Sequence, residues 1–167
     1  MKVVRMPGAF HAFGLALLIL CLPAPNATAQ SVQPSVPSAV ALIKMVRMTM
    51  VAVHHANITG NYSVLRDLGT PSFAKANNAA RLADIFRRWR RPDRNLDPVM
   101  VLKPVWLVNP IVDRRGVLSL KGYFRTTPLR VRFIMRFKPI AGRWRLEAIS
   151  LKTFKPGKQP KGGKPRR

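Results

Sequence analysis

The chain is poor in the side chains that carry most protein chemistry. One cysteine, Cys21, stands in 167 residues, so no disulfide closes within the chain and a thiolate metal cluster has no second thiolate. Of the three histidines, His54 and His55 are adjacent. Neighbours on a helix project about 100° apart, so the pair does not share a metal. No metal site and no cofactor is expected.

Acids are few as well. Six of them (Asp67, Asp84, Asp93, Asp97, Asp113 and Glu147) face 30 Lys and Arg, for a net charge of +24. General acid–base chemistry needs a carboxyl or imidazole with a shifted pKa facing a cavity. Asp93 and Asp97 flank a Pro-rich loop, Asp113 falls in a turn, and Asp67 and Asp84 lie on helices beside arginines. Glu147 reads as a strand residue on the same outward face as Arg145. His54 and His55 read as the end of the first helix, where a partly charged imidazole is favoured. Tyr62 and Tyr123 read as packing residues. No catalytic residue is expected.

The N-terminus also lacks a membrane-length apolar run. Lys2 and Arg5 precede an 11-residue apolar stretch, Ala12 to Leu22, which Pro23 and Pro25 interrupt. A spanning helix needs about 20 apolar residues. A basic start, a short apolar middle and Ala27-Thr28-Ala29 form the pattern of a cleavable secretory signal. Cleavage is expected between Ala29 and Gln30, giving a periplasmic or secreted protein with no transmembrane segment. It would remove Lys2, Arg5, Cys21 and His11 and no acid, lowering the net charge from +24 to +22.

Beyond the signal, residues 30–37 read as an extended lead-in. Ser38 can cap a helix, and the apolar pattern from Val40 to Val53 predicts one over roughly 38–56, ended by Asn57 and Gly60. A second helix is expected over 61–68. A third begins at Thr70-Pro71, with Thr as cap and Pro at the first helical position, and Pro92 closes it. After residue 95 the period changes to two. Strands are expected at 99–108, 117–125, 129–138 and 143–151, with turns at Asn109-Pro110 to Gly116, Thr127-Pro128 and Pro139 to Gly142. Residues 152–167 hold seven basic residues, no acid, three Pro and three Gly. The composition predicts a disordered tail from 153.

Helices followed by strands predict an α+β fold, with N-terminal helices packed on a curved antiparallel sheet of about four strands. This order, with the phrases Gly60-Asn61-Tyr62-Ser63-Val64-Leu65-Arg66-Asp67 and Gly142-Arg143-Trp144-Arg145-Leu146, resembles small exported bacterial members of the nuclear transport factor 2-like, or cystatin-like, superfamily. The resemblance covers residues 38–152 and implies a cone-shaped fold. Members of that superfamily include isomerases, dehydratases and non-catalytic ligand-binding or dimerising modules, so function does not follow from fold.

What the chain has in abundance is positive charge. Arg87-Arg88-Trp89-Arg90-Arg91, with Arg94, sets five arginines around one Trp. Arg130, Arg132 and Arg136 share one face of a strand, with Ile134 among them and Val131, Phe133, Met135 and Phe137 opposite. Lys121, Arg125 and Arg145 could extend that face. Arginine interleaved with aromatics suits phosphate and other anions, but no nucleic-acid-reading motif appears. Export would separate the protein from cytoplasmic nucleic acid. The expected partner is an anionic envelope polymer or lipid headgroup, or a second copy of the chain as a homodimer. Three functions are compatible with these observations: a non-enzymatic exported domain binding an anionic or small apolar ligand or self-associating, an isomerase- or dehydratase-like enzyme using the cone, and a cationic polyanion-binding effector.

Overall fold

A computed structural model describes residues 34–157. The expected signal with its Ala29–Gln30 junction, and the tail from 158 onward, lie outside the described residues. The fold is α+β, with helices on one face of an open five-stranded antiparallel sheet.

The first helix, α1, spans Ala39–Thr59. Ser38 Oγ accepts from the Ala41 N–H at 3.3 Å. The helix passes through Asn57, which was expected to end it, and stops at Gly60, whose φ of 75° gives a left-handed cap. Asn57 does not break the helix because its side chain is occupied elsewhere, accepting from the Tyr62 hydroxyl at 2.7 Å. A short α2 follows at Ser63–Asp67.

The expected third helix is two. Thr70 caps α3, Pro71–Ala76, by accepting from the Phe73 N–H. Asn77 Nδ2 then donates to the Phe73 carbonyl at 2.9 Å, and Asn78 Oδ1 accepts from the Arg81 N–H at 2.8 Å. One Asn ends a helix and the next starts α4, Ala79–Ile85. Three 3-10 turns follow, at Arg87–Arg90, Pro92–Arg94 and Asp97–Met100. The last of these, begun by Asp97-Pro98, replaces the first half of the strand expected at 99–108.

That strand shrinks to β1, Val105–Trp106, and resumes as β2, Ile111–Val112. Both pair with the same edge of β3, Leu118–Phe124. Asn109-Pro110 thus interrupts a strand rather than turning a hairpin. The turn is Asp113 to Gly116, where Gly116 has φ 73° and its N–H donates to the Asp113 carbonyl at 2.9 Å. The sheet continues with β4, Arg130–Ile140, and β5, Arg143–Phe154. Strand β5 runs three residues past the expected 151, because Lys152, Thr153 and Phe154 pair with Arg132, Val131 and Arg130.

Between β4 and β5 the register slips at one point. Arg136 pairs with Ala148 and Phe137 with Leu146, which leaves Glu147 as the extra residue of a β-bulge. The bulge breaks the alternation that would set Glu147 beside Arg145. The Glu147 carboxylate instead accepts from Thr70 Oγ1 at 2.6 Å. The chain at Leu68–Thr70 docks on the same stretch: Leu146 N–H donates to the Leu68 carbonyl at 3.1 Å and Thr70 N–H to the Leu146 carbonyl at 2.8 Å.

The core lies between α1 and the inward face of the sheet. Leu118, Leu120, Phe124, Val131, Phe133 and Met135 meet Leu42, Val46, Met50 and Val53, and Tyr62, Leu65, Phe86 and Trp89 close one side. Burial of this apolar surface is the main force holding helices to sheet.

Candidate anion-binding surfaces

The two predicted arginine groups do not form one site. Arg87, Arg88, Trp89, Arg90 and Arg91 lie on and just after the first 3-10 turn, in the helical layer. Trp89 is buried and the four arginines are exposed. The Arg94 guanidinium stands over the indole, 5.8 Å from its centre. Much of this group is occupied locally. Arg87 Nη2 lies 3.8 Å from Asp84 Oδ1, and Arg91 Nε 3.6 Å from Asp93 Oδ1. Arg90 Nη2 donates to the Ala83 carbonyl at 3.1 Å. Exposed ion pairs of this kind contribute about 0–1 kcal/mol each, but they lower the charge available to a ligand.

Beside the turn is a cleft of about 320 Å³ lined by Trp89, Arg90, Arg91, Arg94, His54 and Asn57 among others. His54 is not at a helix terminus, since α1 continues to Thr59. It is buried, and its Nε2 lies 2.8 Å from Asp97 Oδ1. The pair ties the Asp97 turn to α1. Tyr62 is fully buried, and burial raises its pKa, partly offset by the positive charge of Arg90. Its hydroxyl donates to Asn57, whose Nδ2 donates to the Trp89 carbonyl at 3.5 Å.

The second group occupies the sheet face turned away from the helices. Register places Arg132 between Tyr123 and Lys152, Ile134 between Lys121 and Ser150, and Arg136 between Ser119 and Ala148. Arg130 lies opposite Phe154 and stands 5.6 Å over the Tyr123 ring, which meets Phe154 edge-on at 5.6 Å. Tyr123 is a packing residue, but on the open face rather than in the core. Glu147 is the one acid in β3, β4 and β5, and it is bonded to Thr70.

Arg132, Ile134, Ser150 and Lys152 line a depression of about 80 Å³. Arg132 Nε is buried without a hydrogen-bond partner, as are Arg47 Nε and Arg94 Nε. The Arg132 guanidinium, the Lys152 ammonium and the Ser150 hydroxyl border one hollow, and charge-assisted hydrogen bonds from such groups suit an anion. Lys121 belongs to this face as expected. Arg145 does not: its guanidinium turns to the helical layer, donating to the carbonyls of Gly69 at 3.0 Å and Asp67 at 2.8 Å.

Lys152, Ser150 and Phe154 were not predicted as members of the site. They come from the neighbouring strand, and only the β4–β5 register brings them beside Arg130 and Arg132. Among the described residues no cluster of three His, Cys, Asp or Glu could hold a metal. No family model matches the chain, and no curated protein or solved structure does.

Proposed function

We propose that the chain is an exported, non-enzymatic binding domain with a cone-type architecture of the nuclear transport factor 2-like kind, holding an acidic envelope polymer on the open face of its sheet. The observation that carries this reading is the Arg132–Ser150–Lys152 depression. It combines a guanidinium, an ammonium and a hydroxyl in a hollow sized for one phosphate, sulfate or carboxylate group. Lys121, Arg130 and Arg136 around it would engage successive anionic groups of a polymer.

The opposite face of the sheet supports the non-enzymatic part. The inward residues of β3 and β4 include no titratable side chain and are buried against α1, and the two titratable side chains that β5 turns to the helical layer, Arg145 and Glu147, are bonded to the Gly69 and Asp67 carbonyls and to Thr70. A catalytic cone would need a tuned acid or base there.

The test is retention of the full chain on immobilised heparin. Elution above roughly 0.3 M salt is expected, well past the 0.15 M at which the Debye length is already about 8 Å. Arg132→Ser with Lys152→Ser should bring elution well below that point. Changing Arg87, Arg88, Arg90 and Arg91 to Ser should lower it less. Equal losses from the two variants would reduce the binding to bulk charge, and no loss from the sheet variant would remove the site.

A further inference from the structure

The longest helix keeps an apolar flank in solvent. Along α1, Val40, Lys44, Met48, Val51 and His55 follow one another at spacings of three and four, which places them on one face. Val40 is 77% exposed and Met48 53%, and Val64 of α2 beside them is 62% exposed. Two shallow grooves lie on this flank. One, of about 390 Å³, runs between α1 and α2 past Met48, Val51, Val64 and Leu68. The other, of about 350 Å³, lies against Val40, Ile43 and Met48. Met48 belongs to both, so the apolar strip is continuous over most of a helix about 30 Å long.

The rim of the strip is cationic. Lys44 and Lys103 border the second groove together with Arg47, whose Nη2 donates to the Leu102 carbonyl at 3.2 Å, and α1 contains no acid. Asp67 at the end of α2 is neutralised by Arg66, whose Nε lies 2.7 Å away. A second copy of this chain is a poor occupant, because a symmetric contact would press Lys44, Arg47 and Lys103 toward their own duplicates in a chain of net +24. Exposed apolar area flanked by cations suits a surface that is apolar beneath and anionic on top.

The geometry points to the exposed flank of α1 as a docking face for a bilayer bearing anionic headgroups. Val40, Met48 and Val51 enter the headgroup–acyl boundary, while Lys44 and Lys103 meet the phosphates. The face is distinct from the sheet surface proposed for the polymer, which lies on the other side of the core, so either reading can fail alone.

The experiment uses the full chain with Cys21→Ser and a polarity-sensitive fluorophore on a single introduced cysteine, at Met48→Cys or at Ser150→Cys on the sheet. On phosphatidylglycerol vesicles the Met48 probe should shift to the blue, while phosphatidylcholine vesicles leave it unshifted. The Ser150 probe should stay unshifted on both. Adding Val40→Glu and Val51→Glu should remove at least half of the Met48 shift while leaving heparin elution unchanged. A protein that sediments with anionic vesicles without moving the Met48 probe, that shifts the Ser150 probe instead, or that responds equally to neutral vesicles would overturn the assignment.

Discussion

Gly122 lies in the middle of β3, where the Phe133 ring and the Val105 carbonyl close over the backbone. A Cβ there would stand 2.6 Å from Phe133 Cζ and 2.6 Å from Val105 O. The ring can swing aside, but the carbonyl belongs to the β1 backbone and cannot. Gly122→Ala is therefore expected to destabilise the fold by about 1–3 kcal/mol, read as an earlier midpoint in urea; an unchanged midpoint would contradict the packing. Nothing in Lys121-Gly122-Tyr123 announces this, because a close approach between strands is set by residues far away in the chain. The arginines show the same limit. Sequence alternation correctly put Arg130, Arg132 and Arg136 on the side away from the core, but it could not tell Arg132, with an unpaired nitrogen, from Arg145, which is spent on the carbonyls of Asp67 and Gly69.

Elements were legible where one period persisted. The first helix and the strands β3, β4 and β5 follow from it, and so does the α+β class. Expectation failed where a side chain competed with the backbone or where the ladder lost its phase: at Asn77 and Asn78, at Asn109-Pro110, and at Glu147. The β2–β3 turn shows how much a single side chain can do at this scale. Asp113 Oδ1 accepts from the N–H groups of Val117 and Arg115, both at 2.9 Å. These bonds, that from Val117 foremost, hold its pKa below the ordinary 3.8. A carboxylate with a depressed folded-state pKa stabilises the fold above the unfolded-chain value, and the contribution is lost as pH falls through the folded-state value. Asp113→Asn should thus be less stable than the parent at pH 7, with the gap closing as pH drops below 3.8. Thermal melts of both proteins across that range would show it; a gap independent of pH would mean that charge has no part in the turn.

At the scale of the whole molecule, positive charge appears on both sides of one apolar core. The sheet side presents Lys121, Arg130, Arg132, Arg136 and Lys152, and the helical side Lys44, Arg47 and Lys103 around exposed apolar residues. Composition revealed the total charge and nothing of this division, which depends on α1 lying across one face of the sheet. If both surfaces are used, the protein links two anionic bodies. Light scattering should rise when heparin is added to protein already bound to anionic vesicles. Arg132→Ser with Lys152→Ser should abolish that rise without altering the blue shift of a Met48 probe.

The interrupted strand at one side of the sheet has a consequence for solubility. An unbroken edge offers a row of free N–H and C=O groups on which foreign strands can grow. Here β1 and β2 are two residues each, separated by a segment whose Pro110 has no N–H to give. On the other side, Leu68–Thr70 already occupies the edge at Leu146. What stays open along β5 lies on either side of that contact, and on the longer stretch, from Ala148 to Phe154, an incoming strand meets Lys152.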